Sequence, residues 1–140
     1  MQFLLIHGGW QGGWCWDGVV AELVRRGHTA IAPTLPGLEP AAKDRSGVGL
    51  STFIEHATAE LVSHGMSDVV VIGHSGGGPV SQGVAENVVE RVRLIGFLDA
   101  TVLHHASACS TFPRHRGAPR WKRLRRPPST TPCQCPRKSG

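Results

Sequence analysis

Residues 68–79 read D-V-V-V-I-G-H-S-G-G-G-P, the order of a buried strand, a sharp turn and the start of a helix. Val69 to Ile72 make the apolar run, Gly73 ends it, and Val80, Val84 and Val88 recur at i, i+4 beyond the turn. A strand-to-helix turn this tight holds its central residue in a strained backbone conformation. It admits only glycine-sized neighbours two positions to either side. Those neighbours are Gly73 and Gly77, with His74, Ser75 and Gly76 between them. The turn lifts the Ser75 hydroxyl above the sheet edge and aims the Gly76 amide into the same space from the positive end of the following helix. In this setting G-x-S-x-G is a nucleophile elbow, a stronger signal than the same five residues in an open loop.

The chain around the elbow repeats strand and helix. Gln2 to Ile6 is a short apolar run that delivers the glycine-rich stretch His7-Gly8-Gly9, as a buried parallel strand does. A helix is expected from Asp17 as N-cap, with Val19, Val20, Leu23 and Val24 as its apolar positions and Gly27 as its C-terminal cap. Thr29 to Ala32 reads as a second strand, and Pro33, Pro36 and Gly37 open a loop to about Leu50. Ser51 is placed to cap the next helix, whose inner face carries Ile54, Ala57, Leu61 and Val62 and whose stop is Gly65. The elbow helix is expected over residues 77–89, and Val92 to Leu98 makes a fourth strand. The alternation predicts an α/β fold, a mostly parallel sheet with crossover helices and ligands at the carboxyl ends of the strands.

At 140 residues the chain suffices for one domain with a real core and little stability to spare. Its net charge of +5 is unevenly placed. Residues 1–100 hold six basic and all ten acidic side chains, whereas residues 101–140 hold nine basic side chains, no acidic one and six of the ten prolines. The second stretch shows no period of 3.6 or 2 and too few apolar groups to offset the entropy of ordering it. Two parts are therefore expected: an α/β core over 1–100 and a disordered basic tail over 101–140. Cys15 lies in the first part and Cys109, Cys133 and Cys135 in the second, which implies no disulfide framework. Cys133 and Cys135 lack a partner pair at ligand spacing, so no metal is expected. Met1 to Ile6 is too short for a signal peptide's core and no run of about 18 apolar residues occurs, so a cytoplasmic protein without a membrane partner is expected.

Four motifs in order, H-G-G-W-Q-G-G-W-C-W at 7–16, G-H at 27–28, A-P-T-L-P-G at 32–37 and G-H-S-G-G at 73–77, resemble the α/β-hydrolase fold. More narrowly, they resemble its branch of small esterases that includes plant methylesterases and hydroxynitrile lyases. The resemblance covers residues 2–100 and implies a partial sheet of about four strands in the family's order 4-3-5-6. It implies a carboxylesterase-like activity on a small-molecule ester, without a cofactor. Ser75 would be the nucleophile, the amides of Gly9 and Gly76 the oxyanion hole, Gly73, His74 and Gly77 the frame of the elbow, and Trp10 a neighbour in the substrate pocket. Trp14 and Trp16 also fit an acyl pocket, although aromatic residues beside a helix start are more often core. Hydroxynitrile cleavage is the lesser variant, since relatives that perform it typically carry Thr where this chain has Gly8.

The family's later strands, its catalytic acid, its final histidine and its cap have no recognisable counterpart. Asp99 is the only acidic residue near the expected edge, and capping its own loop is the commoner role for such a residue. His104 and His105 follow it and preserve the order Ser, Asp, His, but a gap of five or six residues is unlike the family. His7 and His74 suit packing or turn roles better than proton transfer; His28, His56, His64 and His115 carry no catalytic signal. The expectation is a weak or inactive serine hydrolase. The abrupt change past residue 100 to Arg, Pro, Ser, His and Cys is what an out-of-frame reading of GC-rich DNA produces. Two rival readings stand beside the enzyme. One is a non-catalytic fragment whose Arg114–Arg126 run binds polyanions or nucleic acid through phosphates, with only Trp121 to stack and no specific nucleic-acid partner. The other is a fragment without function that self-associates through an exposed sheet edge.

Overall fold

The structure, a computed structural model, describes residues 1–42 and 45–103. The expectations for residues 104–140, including His104, His105, the Arg114–Arg126 run and the disordered tail, lie outside the described residues. The elements in order are β1 (Gln2–Ile6), a 3-10 turn (Gly13–Trp16), α1 (Asp17–Arg25), β2 (Thr29–Ile31), α2 (Leu50–Ser63), β3 (Val69–His74), α3 (Gly77–Asn87) and β4 (Val92–Leu98). The four strands form one sheet in the order β2-β1-β3-β4, every pair parallel. That is the spatial order the family resemblance implies.

Side-chain alternation divides the apolar residues between two faces. Leu4, Ile6, Val69 and Val71 point to the side covered by α2 and α3, where Ile54, Ala57, Leu61, Val80 and Val84 complete a continuous buried core. Burying each such side chain contributes about 1.5–3 kcal/mol, so this core carries most of the fold's stability. Phe3, Leu5, Val70 and Ile72 alternate to the opposite face, where Trp16 of the 3-10 turn is buried and its ring meets His74 edge-on at 6.4 Å. A right-handed crossover from β1 to β2 runs opposite to that from β3 to β4, which puts α1 on this second face.

Several local expectations are corrected. Helix α1 buries none of its residues: Val20 and Leu23 are half-buried, and Val19 and Val24 are exposed. The reason is position, because α1 packs on β2, the outermost strand, and part of its circumference extends past the sheet. Trp16 rather than Asp17 is the N-cap of α1; Asp17 sits in the first turn, where its charge still favours the helix dipole. Gly49 rather than Ser51 caps α2, and its amide donates to Thr52 Oγ1 at 3.4 Å. Val62 is exposed rather than packed. The expected glycine stops hold: Gly27 and Gly65 take φ of +79° and +62°, a region costly for any side chain. Contacts continue past Ala100, since Leu103 exchanges two hydrogen bonds with the Gln82 carboxamide, at 2.8 and 3.0 Å.

Candidate active site

The carboxyl ends of β1, β3 and β4 lie side by side, and each leads into a non-glycine residue with positive φ: Trp10 at +64°, Ser75 at +49° and Asp99 at +43°. Such conformations cost about 1–3 kcal/mol each and persist only where the surroundings impose them. Around Ser75 the imposition is visible. A Cβ on Gly73 would stand 2.5 Å from Ser81 Oγ and 2.7 Å from the Gly77 carbonyl, and one on Gly77 would stand 2.7 Å from the His7 carbonyl and 2.8 Å from that of Ile6. Only glycine lets α3 start this close to β1 and β3. The Ser75 amide donates to Leu98 O at 3.3 Å, and the Ser75 carbonyl accepts from Gly78 and Thr101 at 3.2 and 3.0 Å. These bonds hold the strained residue from three sides.

The loop after β1 approaches the same turn. A Cβ on Gly8 would meet Ser75 Cβ at 3.0 Å, and one on Gly76 would stand 3.6 Å from the Gly9 amide nitrogen. The Gly9 and Gly76 backbones are therefore neighbours beside Ser75. Gln11, which the sequence reading passed over, joins the two glycine motifs. Its Oε1 accepts from the Gly8 amide at 3.3 Å and from His74 Nδ1 at 3.2 Å, which makes Nδ1 the protonated nitrogen of that ring. The available signal was that Gln11 is the one polar side chain within the aromatic and glycine run 8–16.

His7 is buried with both nitrogens engaged: Nδ1 donates to Gly8 O at 2.8 Å and Nε2 accepts from the Leu35 amide at 3.0 Å. Burial pushes its pKa below the ordinary value, with the Gly8 hydrogen bond opposing to a smaller degree. It is a neutral strut between the β1 loop and the loop after β2. His56 and His64 face Glu60 on α2, and His28 lies by Phe3 and the chain's amino terminus. None of these rings is arranged to take a proton from Ser75.

Asp99 follows β4 between Leu98 and Thr101, both bonded to the Ser75 backbone. Its side chain is exposed and, among the described residues, has no hydrogen-bond or ion-pair partner. The loop-capping role expected for it is therefore not seen there. Of the three tryptophans near the site only Trp16 is core. Trp10 is 91% exposed and Trp14 57% exposed, and with Gln11, Leu38, Pro40 and Arg45 they line a cavity of about 240 Å³. Ser75 and Gly76 are themselves exposed. Among the described residues no three His, Cys, Asp or Glu side chains are grouped to hold a metal ion, and no helix is long and apolar enough to cross a membrane.

Comparison with known proteins bears on this arrangement. The chain is 36% identical over 108 residues to a carbendazim hydrolyzing esterase of Nocardioides sp., a match that covers 76% of this chain and 45% of that protein. It is 33% identical over 133 residues to esterase PIR7B of Oryza sativa, covering 89% of this chain and 45% of the relative. Among solved structures, an extracellular alpha/beta-hydrolase from a Paenibacillus species superposes with a TM-score of 0.68 at 32% identity, over 74% of this chain and 42% of the other. The chain thus spans less than half the length of these relatives. The model of the alpha/beta hydrolase family matches residues 3–136, so the match itself marks no boundary at residue 100. With that match laid over a parallel sheet in the order β2-β1-β3-β4 and a strained serine at its carboxyl edge, the chain belongs to the alpha/beta hydrolase family.

Proposed function

We propose that the chain carries the nucleophile half of a carboxylic ester hydrolase site, with Ser75 as the attacking group and the Gly9 and Gly76 amides as the oxyanion hole. The observation that carries this reading is Ser75 at φ +49° between β3 and α3, with the Gly9 amide beside Gly76. Attack of the Ser75 oxygen on an ester carbonyl places negative charge on the carbonyl oxygen. Two fixed amides then stabilise that charge, each by about 3 kcal/mol in a site closed to water. Here Ser75 and Gly76 are open to solvent, so water competes and each donor is worth less. The hydroxynitrile variant is the lesser reading, since relatives that perform it typically carry a threonine where this chain has Gly8.

The proton leaving Ser75 needs an acceptor. His7 has no free nitrogen; His104 and His105 follow Asp99 and preserve the order Ser, Asp, His, so they are the candidates for the base, with Asp99 as the carboxylate that would orient it. Without an effective base, the oxyanion hole and binding leave an acceleration of about 10³–10⁴ over water. The activity is accordingly weak, and the substrate is a small ester with an apolar part that fits against Trp10 and Trp14.

Hydrolysis of p-nitrophenyl acetate by the purified full chain, beside Ser75→Ala, tests the reading. Turnover by the wild type and none above buffer by the variant supports it. Equal rates for the two exclude Ser75 as the nucleophile.

A further inference from the structure

The cavity beside the turn at Ser75 carries two charges that the catalytic reading leaves unused. Its apolar lining is Trp10, Trp14, Leu38 and Pro40, and its charged groups are Arg45 and Glu39. Local features fix its walls. The Trp14 indole lies against Gly12, where a Cβ would stand 2.7 Å from Nε1 and 2.8 Å from Cδ1, so a side chain at 12 would displace the ring. The loop after β2 is tied to the loop after β1 twice, by the Leu35 amide donating to His7 Nε2 at 3.0 Å and by the Gly13 amide donating to Thr34 Oγ1 at 2.9 Å. Gly37 turns that loop at φ +74°, and a Cβ there would stand 3.6 Å from Arg45 Cγ, so the Arg45 stem rests beside the turn. Trp10 directly follows Gly9, which sets the cavity next to the proposed oxyanion hole.

Among the described residues neither Arg45 nor Glu39 has an ion-pair or side-chain hydrogen-bond partner, and the two do not pair with each other across the cavity. An arginine in that state offers five N–H donors in a planar fork, the geometry that a carboxylate accepts in pairs, and its guanidinium gives up water more readily than an ammonium. We propose that Arg45 makes this cavity a carboxylate subsite, so that the preferred ester carries a second, ionised carboxyl group remote from the ester, as a monoester of a dicarboxylic acid does. The ester carbonyl faces the Gly9 and Gly76 amides, the chain between the two carboxyl groups covers Trp10 and Trp14, and the free carboxylate meets the Arg45 fork.

Glu39 opposes a carboxylate and would favour a cation held against the tryptophan faces. Arg45 prevails because its stem is seated beside the Gly37 turn and its fork is fixed in shape, whereas an exposed glutamate turns to water at little cost. As a statement about substrate this rests on the reading of Ser75 as nucleophile, but the subsite itself is formed without Ser75.

Binding to the full chain carrying Ser75→Ala, which leaves the ester intact, tests the subsite apart from the chemistry. Three methyl esters of matched length are titrated at low ionic strength: monomethyl adipate, methyl hexanoate and methyl 6-aminohexanoate, whose far ends are a carboxylate, a methyl and an ammonium group. The indole N–H resonances of Trp10 and Trp14 are followed by NMR. Monomethyl adipate is expected to bind roughly fivefold tighter than methyl hexanoate, with the ammonium ester weakest. Arg45→Gln is expected to abolish the preference, Arg45→Lys to keep part of it and Glu39→Gln to widen it, each with the rest of the amide spectrum unchanged. Equal binding of the three esters, tighter binding of the ammonium ester, a carboxylate preference that survives Arg45→Gln, or shifts at Trp121 in place of Trp10 and Trp14 would each overturn the proposal. None of these outcomes bears on Ser75, whose failure as a nucleophile is read from wild-type turnover.

Discussion

Replacing Ser75 by glycine should stabilise the protein while removing the proposed nucleophile. Ser75 sits at φ +49°, and an L-residue with a side chain pays about 1–2 kcal/mol there because Cβ crowds the following carbonyl. Glycine removes that crowding. Its greater freedom in the unfolded chain returns about 0.5–1 kcal/mol of the gain, which leaves a net stabilisation of about 0.5–1 kcal/mol. The bonds that fix the turn, from the Ser75 amide to Leu98 O and from Gly78 and Thr101 to the Ser75 carbonyl, are all made by backbone and survive the change. Ser75→Ala is the control, since it deletes the hydroxyl but keeps the Cβ and its strain. Because the side chain is exposed, alanine should stay within about 0.5 kcal/mol of wild type. In urea unfolding, a gain of this size moves the midpoint upward by roughly 0.3–0.5 M for a protein of this size, with an unchanged slope. Both variants should lose ester turnover. A Ser75→Gly midpoint at or below that of Ser75→Ala would show that the turn stores no strain, and the physical argument for the elbow would fail.

Three further outcomes are expected. Gly77→Ala drives a methyl group against the carbonyls of Ile6 and His7, so α3 must move away from β1; it should cost about 1–3 kcal/mol in urea unfolding and lower turnover as Gly76 shifts from Gly9. His7 is held neutral by burial, its folded pKa below the unfolded value of 6.5, so the unfolded chain binds more protons. Stability should therefore be intact above about pH 6.5 and fall with acidification by up to about 1.4 kcal/mol per pH unit until the folded pKa is reached. His7→Gln should flatten that dependence while lowering stability at neutral pH, as unfolding at several pH values would show. Gln11→Ala frees the Gly8 amide and His74 Nδ1 together, and should slow ester turnover by about tenfold for about 1 kcal/mol of stability; an unchanged rate would remove Gln11 from the site.

The turn at Ser75 and the run of strands and helices were legible because most of their causes are local, whereas the order of strands in the sheet came from the family resemblance. Gly73 is required by contacts with Gly77 and Ser81, within a few residues of Ser75, and the 2 and 3.6 periods of β3 and α3 lie in adjacent sequence, although Gly77 is also held by the remote carbonyls of Ile6 and His7. What depends on remote partners was not legible. The apolar pattern of α1 predicts burial, but its place over the outermost strand leaves Val19 and Val24 in solvent. Trp14 looks like core from its place beside a helix start, yet with Trp10, the expected pocket residue, it lines an open cavity with Leu38 and Pro40. Gln11 acts across 63 residues to His74, and no short pattern records such a bond. His7 was read as a packing or turn residue, and the bond from the Leu35 amide that engages its second nitrogen is visible only in three dimensions.

The central claim, that Ser75 is a nucleophile served by the Gly9 and Gly76 amides, is tested most directly by covalent capture. The full chain is incubated with an alkyl fluorophosphonate, whose phosphorus accepts the serine oxygen as fluoride leaves, and the adduct is located by peptide mass spectrometry. The account predicts one phosphonyl group per chain, on Ser75, with none on Ser75→Ala. Absence of an adduct on Ser75 under conditions that label an active serine esterase, or equal labelling of other serines, would contradict it.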